Sequence, residues 1–325
     1  MVYHDRQEVT VSTTRIGGKT MDTSKVTDPR DSNQLTRAYL DSLLVEARYL
    51  DSCVPELEME LFGARFASPV MIAAFSHLGG THPGGMAEMA RGARLAGVCN
   101  WAGMGDTAEL EEILATGAPT IKIVKPYADR RLVFERLRQA EQAGALAVGM
   151  DIDHSFDHRG MPDHVAGMDM KPVSSDELRE FVRATRLPFV VKGVLSVQDA
   201  VLCAEAGVRG ILLSHHHGIM PCAVPPLMAL PRIRDAVGDS MALFVDCSID
   251  SGEDAFKCLA LGAKAVCVGR ACLPAFRESG AEGVKRYIDG MNDQLRAMMA
   301  RTCSPDVRSI PRNVLWSAAT GLPVA

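Results

Sequence analysis

Leu213-Ser-His-His-His-Gly218 closes an apolar run and opens into a Pro-containing loop. Two other apolar runs end in the same manner, Pro188-Phe-Val-Val-Lys-Gly193 and Met150-Asp-Ile-Asp-His154. Histidine titrates near neutral pH, so it can move protons without extreme tuning. Imidazole, ammonium and carboxylate thus each stand where a buried strand meets solvent. Chemistry placed at successive strand ends is how a parallel barrel carries its site.

Working outward, strand-length apolar runs alternate with amphipathic stretches from about residue 69 onward. The predicted strands are Pro69–Ser76, Val98–Ala102, Thr120–Lys125, Ala145–Asp153, Phe189–Val194, Gly210–Ser214, Ala242–Asp246 and Ala265–Gly269. Most are apolar on both faces, as buried parallel strands are. Helical patterns lie between them, among them Asp129–Ala143, Ser175–Thr185, Val197–Glu205 and Glu253–Ala260, with a longer one at Glu282–Arg301. Gly97, Gly144, Gly207 and Gly262 stand where a left-handed residue would end a helix. Eight such units predict an α/β fold, a (β/α)8 TIM barrel with an N-terminal helical and hairpin extension. Residues 1–35 are polar and are expected to form a flexible N-terminal segment. Residues 36–325 are expected to be a single barrel domain, with a helix at Leu35–Leu50 and a short hairpin covering the barrel's bottom.

The chain has 325 residues, 47% of them hydrophobic and 23% charged, with a net charge of −5. That is the composition of an ordinary globule, with no basic field to attract nucleic acid or an anionic membrane. No run of about 18 apolar residues could cross a bilayer. The nine cysteines are scattered without a CxxC spacing. This argues against zinc or a disulfide framework and for reduced thiols. The expectation is a cytoplasmic enzyme acting on a small molecule, with neither nucleic acid nor membrane as partner.

Asp246-Cys-Ser-Ile-Asp-Ser-Gly252 and Val268-Gly-Arg270 follow the last two strands. There, loops and helix N-terminal amides form the usual phosphate site of such barrels. Gly269 would admit a phosphate closely and Arg270 would supply a charged fork. Alternate residues of a strand face opposite sides, so at most two of His215, His216 and His217 share a side. No metal is expected.

From Ala47 to Ile310 the chain resembles the FMN-dependent 2-hydroxy acid oxidase/dehydrogenase family, which includes glycolate oxidase and lactate oxidase. The resemblance rests on Ser68-Pro-Val-Met-Ile-Ala73, Thr81-His-Pro-Gly-Gly85, Trp101, Leu187-Pro-Phe-Val-Val-Lys-Gly-Val-Leu195, Ser214-His-His216, Val224-Pro225, Phe256-Lys-Cys-Leu-Ala-Leu-Gly-Ala263 and Val268-Gly-Arg270. It implies bound FMN contacted by Ala74, Phe75, Ser76, Asn100, Lys122, Lys192 and Ser214. Asp246, Cys247, Ser248, Gly269 and Arg270 would hold the ribityl chain and phosphate. It further implies His216 as the catalytic base, Asp153 as the carboxylate that orients it, and Lys192 as the charge that stabilises reduced flavin. The expected reaction is oxidation of a 2-hydroxy acid to its keto product, with O2 or another electron acceptor and a homo-oligomer, as in tetrameric relatives. The alternative is an FMN-dependent isomerase of the same barrel superfamily, with no net redox change.

The chain also departs from the family. Ile219 stands where the family has an Arg for the substrate carboxylate, and Asp250 where an Arg helps to hold phosphate. His215 replaces an Asn, the N-terminal substrate-contacting Tyr motif is missing, and the loop Ser155–Val173 is short. Arg159 is the candidate replacement for the carboxylate Arg, with His215 and His216 completing a rebuilt substrate pocket.

Overall fold

The structure, a computed structural model, describes residues 26–324. Most of the polar segment 1–35 lies outside the described residues, and Ser32–Leu35 at its end are already helical. Eight parallel strands close a barrel: β1 (Val70–Phe75), β2 (Asn100–Ala102), β3 (Thr120–Val124), β4 (Ala147–Asp151), β5 (Phe189–Lys192), β6 (Gly210–Leu213), β7 (Ala242–Val245) and β8 (Ala265–Val268). Pairing of Val266 with Val70 seals β8 against β1. The helices are α1 (Ser32–Asp41), α2 (Gly85–Ala96), α3 (Thr107–Ala115), α4 (Arg130–Gln142), α5 (Ser175–Arg183), α6 (Val197–Glu205), α7 (Pro226–Val237), α8 (Gly252–Ala260) and α9 (Leu273–Ala300). The glycines predicted to end helices do so in left-handed backbone, with φ of 69° at Gly97, 83° at Gly144, 85° at Gly207 and 104° at Gly262.

Strand alternation sorts the side chains into two cores. Ile72, Val124, Val148, Val191, Ile211, Val245 and Val266 face the helices. Met71, Trp101, Ile121, Ile123, Val190, Leu212, Phe244 and Cys267 fill the barrel together with Met59, Leu61 and Phe66. Phe244 stands edge-on to Trp101, with ring centroids 5.4 Å apart. Burying each such large side chain stabilises the fold by roughly 1.5–3 kcal/mol. Met59, Leu61 and Phe66 belong to the hairpin Met59–Leu61/Ala64–Phe66, which plugs the bottom of the barrel as expected.

The predicted helix Leu35–Leu50 needs correction in both extent and place. Asp31 caps α1 by accepting from the amides of Asn33 and Gln34. After Asp41 the chain turns extended, because Leu43–Val45 pairs antiparallel with Leu315–Ser317. That partner is remote in sequence, so the local pattern carries no sign of it. Nor does α1 cover the bottom; it packs over the loops that follow β6 and β7. No helix among the described residues is long and apolar enough to cross a membrane.

Candidate active site

Strand parity decides which side chains reach the mouth of the barrel. Ile121 and Ile123 point inward, so Lys125, just past β3, does too. Asp151 ends β4 and Lys192 ends β5, and both are buried. Asp151 lies between two ammonium groups, with Lys125 Nζ 2.8 Å from its Oδ2 and Lys192 Nζ 3.2 Å from its Oδ1. Burial alone would favour the neutral acid, but these cations and hydrogen bonds hold Asp151 well below the usual carboxylate range.

Asp153 follows in the short turn Ile152–Ser155, with its Oδ2 3.4 Å from Lys192 Nζ. Burial pushes Asp153 up to about 6, with Lys192 opposing and the charge of Asp151 reinforcing the rise. Lys192 is fully enclosed, which disfavours its charge, yet Asp151 and Asp153 outweigh burial and raise its pKa. It stays an ammonium throughout the neutral range.

His216 completes the cluster. Its Nδ1 is 2.6 Å from Asp153 Oδ1, 2.8 Å from Lys192 Nζ and 3.5 Å from Asp151 Oδ2. A carboxylate only accepts, so the shorter bond, to Asp153, puts the hydrogen on Nδ1 and leaves Nε2 for chemistry. The Lys192 ammonium, which only donates, then gives its hydrogens to Asp151 and Asp153 and not to Nδ1. Burial pulls the His216 pKa down, and hydrogen bonds to Asp151 and Asp153 lift it above the ordinary imidazole value. Across the mouth His154 Nε2 lies 3.3 Å from His216 Nε2, while its Nδ1 lies 2.9 Å from Asp163 Oδ2.

Gly193 shows how tightly this cluster is built. Its φ is +96°, and a Cβ there would sit 2.7 Å from Asp153 Oδ2 and 2.8 Å from Asp153 Cβ. Gly193→Ala is expected to destabilise the protein by about 1–3 kcal/mol and to displace the carboxylate from His216. A lowered Tm together with a slowed reaction checks this; an unchanged pair of values contradicts it.

The two loops beside the cluster are strained and held from outside. His216, His217, Cys247 and Ser248 all have left-handed φ, at 46°, 59°, 70° and 57°. Such strain in non-glycine residues persists where surrounding contacts over-determine it. Here α1 supplies those contacts. Asn33 Oδ1 meets His217 Nδ1 at 2.8 Å, and Thr36 Oγ1 meets His215 Nε2 at 2.8 Å. Arg37 grips Asp254 at 2.9 and 2.7 Å and donates to the carbonyl of Ser248 at 3.1 Å. Because His217 Nδ1–H donates to Asn33, its Nε2 lone pair accepts from the Arg270 guanidinium. Arg270 is therefore oriented by a neutral imidazole and keeps its positive charge.

A cavity of about 540 Å³ runs along these loops, lined by Ala73, Ala74, Phe75, Lys192, His216, His217, Asp246, Cys247, Ser248, Asp250, Cys267, Gly269 and Arg270 among others. Its size suits a cofactor. At Gly269 the nearest atom to an added Cβ is Ala73 Cβ at 3.9 Å, so the backbone there faces open space beside Arg270. Asp250 also lines this cavity; burial and then Asp254 raise its pKa, against Arg37 and Arg270. Cys247 Sγ donates to Asp246 Oδ1 at 2.9 Å, and burial pushes its thiol pKa up, so it is no ready nucleophile. Ser214 Oγ accepts the amide of His216 at 3.0 Å and anchors the loop.

Four predicted contacts are placed elsewhere. Asn100 and Lys122 alternate with Trp101 and Ile121, so they face the helices and not the mouth. Asn100 Nδ2 donates to Thr120 Oγ1 at 3.3 Å. Lys122 Nζ donates to the carbonyl of Gly103 at 2.5 Å, and burial brings its ammonium down to about 8. His215 is buried against α1, its Nδ1 accepting the Gly218 amide at 2.9 Å. Arg159 is turned to solvent, 70% exposed, and paired to Asp157 at 2.8 Å. Ser76 accepts the amide of Met104 at 2.8 Å and so ties β1 to the loop after β2. The imidazoles of His77 and His158 are exposed and do not join His154 and His216.

Ligand atoms of Asp151, Asp153, His154 and His216 all lie within 4.8 Å of one another, a spacing a metal could use. Two ammonium groups already sit on the same two carboxylates. A dication there would face Lys125 and Lys192 at close range, so the cluster is a neutralised charge network and not a metal centre.

Comparison with known proteins identifies the family. The family described as FMN-dependent dehydrogenase matches residues 24–175 and 158–317. Glycolate oxidase of Spinacia oleracea is 27% identical over 310 residues, covering 83% of this chain and 84% of the relative. The 4-hydroxymandelate oxidase of Amycolatopsis orientalis is 30% identical, covering 81% and 84%. Among solved structures, a mandelate oxidase mutant with the monooxide FMN adduct superposes with a TM-score of 0.79 at 31% identity, covering 90% of each chain.

Proposed function

Because this chain belongs to the FMN-dependent dehydrogenase family, we propose that His216 is the base of its reaction, Asp153 the carboxylate that orients that base, and Lys192 the fixed charge beside the cofactor. The chain is an FMN-dependent oxidoreductase that oxidises the CH–OH group of a 2-hydroxy acid to the keto product. The observation that carries the assignment of roles is the Asp153–His216–Lys192 cluster, whose His216 and Lys192 open onto one cavity.

The residues present fit FMN. Gly269 leaves room for a phosphate, and Ala74 and Phe75 offer an apolar wall. Arg270 lines the same cavity without a salt bridge among the described residues, although the Asp250 carboxylate acts on it. Ser248, Gly269 and Arg270 would hold the phosphate end, and Lys192 would stand at the ring end. When bound, FMN supplies a two-electron acceptor whose electrons pass on to O2 or another acceptor.

The chain's own side chains do the rest. Asp153 keeps the hydrogen of His216 on Nδ1, so Nε2 takes the substrate hydroxyl proton. Lys192 places a buried positive charge where negative charge develops, without reorganisation during the reaction. Burial of Asp151 and Lys192 keeps bulk water from screening their charges. For Arg159 to meet a substrate carboxylate it must leave Asp157, and an exposed pair of that kind contributes little. Assembly as a homo-oligomer and a cytoplasmic location complete the reading.

The test is an anaerobic screen of 2-hydroxy acids against the yellow, FMN-loaded protein. Loss of flavin absorbance with an aliphatic or aromatic 2-hydroxy acid is expected. A protein that takes up no FMN, or whose flavin no 2-hydroxy acid bleaches, overturns the reading.

A further inference from the structure

We propose that His154, held by Asp163, shares the base's proton, so that His216 and His154 form a single proton-accepting unit with His154 as its positioning residue. This rests on the reading of His216 as the base for a 2-hydroxy acid. The observation is a continuous chain of contacts. Asp153 Oδ1 meets His216 Nδ1 at 2.6 Å, the two Nε2 atoms are 3.3 Å apart, and His154 Nδ1 meets Asp163 Oδ2 at 2.9 Å. The rings stand edge to face, 4.3 Å between centroids at 87°.

Carboxylates accept and do not donate, so each Nδ1 carries a hydrogen. In the neutral pair both Nε2 atoms then direct lone pairs at each other, which is unfavourable. One proton placed between them turns repulsion into a charge-assisted hydrogen bond. A second proton is opposed by like charge, so the rings titrate as a unit with two well-separated steps.

The groups facing the pair decide which ring keeps the shared proton. Asp151, Asp153 and Lys192 surround His216. Asp163 and the charges of Lys125 and Asp151 act on His154, and Asp157 acts in turn on Asp163. Burial and then Lys125 lower the pKa of His154, whereas that of His216 is raised. The shared proton therefore rests on His216 Nε2 and is donated to His154. In the reaction the neutral pair is the acceptor: the substrate O–H bond breaks, its electron pair stays on oxygen, and its proton becomes the one shared between the two Nε2 atoms.

Asp163 is fixed for this task. Its amide donates to the carbonyl of Ser155 at 3.2 Å, its carbonyl accepts from the Met170 amide at 2.8 Å, and its second carboxylate oxygen accepts from the His164 amide at 2.8 Å. The short loop after β4 is thus an arm that aims one carboxylate at one imidazole.

The experiment has two arms. In the first, histidine-15N-labelled, FMN-loaded wild-type protein is titrated by NMR without substrate. The proposal expects His154 and His216 to move together in a first step, with a second step at distinctly lower pH. Two independent, ordinary imidazole curves overturn it. In the second, anaerobic flavin reduction by a 2-hydroxy acid is followed against pH for wild type and His154→Phe. Loss of the acceptor for a charged donor should move the acid limb down by about one pH unit or more. Rescue of the wild-type limb is expected in Asp163→Glu but not in Asp163→Ala. An unmoved limb in His154→Phe overturns the inference. A wild type that no 2-hydroxy acid reduces overturns the functional reading instead, and the NMR arm still decides whether the rings share a proton.

Discussion

His216→Gln is expected to slow anaerobic flavin reduction by roughly 10²–10⁴-fold while leaving FMN bound. The imidazole contributes the atom that takes the hydroxyl proton, and an amide cannot replace it as a base. Its ring is only one of the many surfaces lining the 540 Å³ cavity, so the cofactor should remain. The wild-type rate should rise with pH through the ionisation of the base. Because the His216 pKa is raised, that limb lies above the ordinary imidazole range. Stopped-flow absorbance with FMN quantified after heat release separates the two effects. A rate within a few-fold of wild type removes His216 from the chemistry.

Lys192→Met should have the largest effect on stability. The ammonium lies 3.2 Å from Asp151 and 3.4 Å from Asp153, buried with both. Without it Asp151 keeps Lys125, but Asp153 is left beside a like charge. Breaking a buried charge network by removing one partner costs about 3–5 kcal/mol. The sign with pH follows from Asp153, whose folded pKa is raised already and would rise further. A carboxyl with a raised folded pKa binds its proton more tightly when folded. The variant's deficit is therefore full above the variant's own, higher pKa, shrinks as pH falls from there to about 6, where wild-type Asp153 titrates, and changes little below that. Urea unfolding of wild type and variant at a neutral and a mildly acidic pH measures this. A pH-independent difference, or none, contradicts the charge assignment.

Much of this was legible in the chain because a buried parallel strand announces itself by unbroken apolar runs, and its exit by the first polar residue. All eight barrel strands follow from that rule, as do the exits at Asp151, Lys192 and Ser214; Asp153 and His216 lie two residues beyond two of those exits. Period-two alternation applied within each strand would also have excluded Asn100 and Lys122 and picked out Lys125, since Ile121 and Ile123 already define the inner face. What could not be read is whatever depends on distant segments meeting. The end of α1 is set by pairing with Leu315–Ser317, and the burial of His215 is set by Thr36. Asp163 had no signature, because its partner His154 is chosen by the path of a hairpin loop. Arg159 was a reasonable cation for a carboxylate in sequence, yet Asp157, two residues earlier, claims it.

The central claim is that one half-buried imidazole and one buried ammonium serve a single cofactor in the oxidation of a 2-hydroxy acid. It is tested most directly by mixing the FMN-loaded protein with a 2-hydroxy acid, and with its 2-deuterated form, in the absence of O2. The account predicts one equivalent of 2-keto acid for each flavin reduced, formed more slowly from the deuterated substrate. Conversion of substrate with the flavin's absorbance unchanged and no keto acid formed would contradict it.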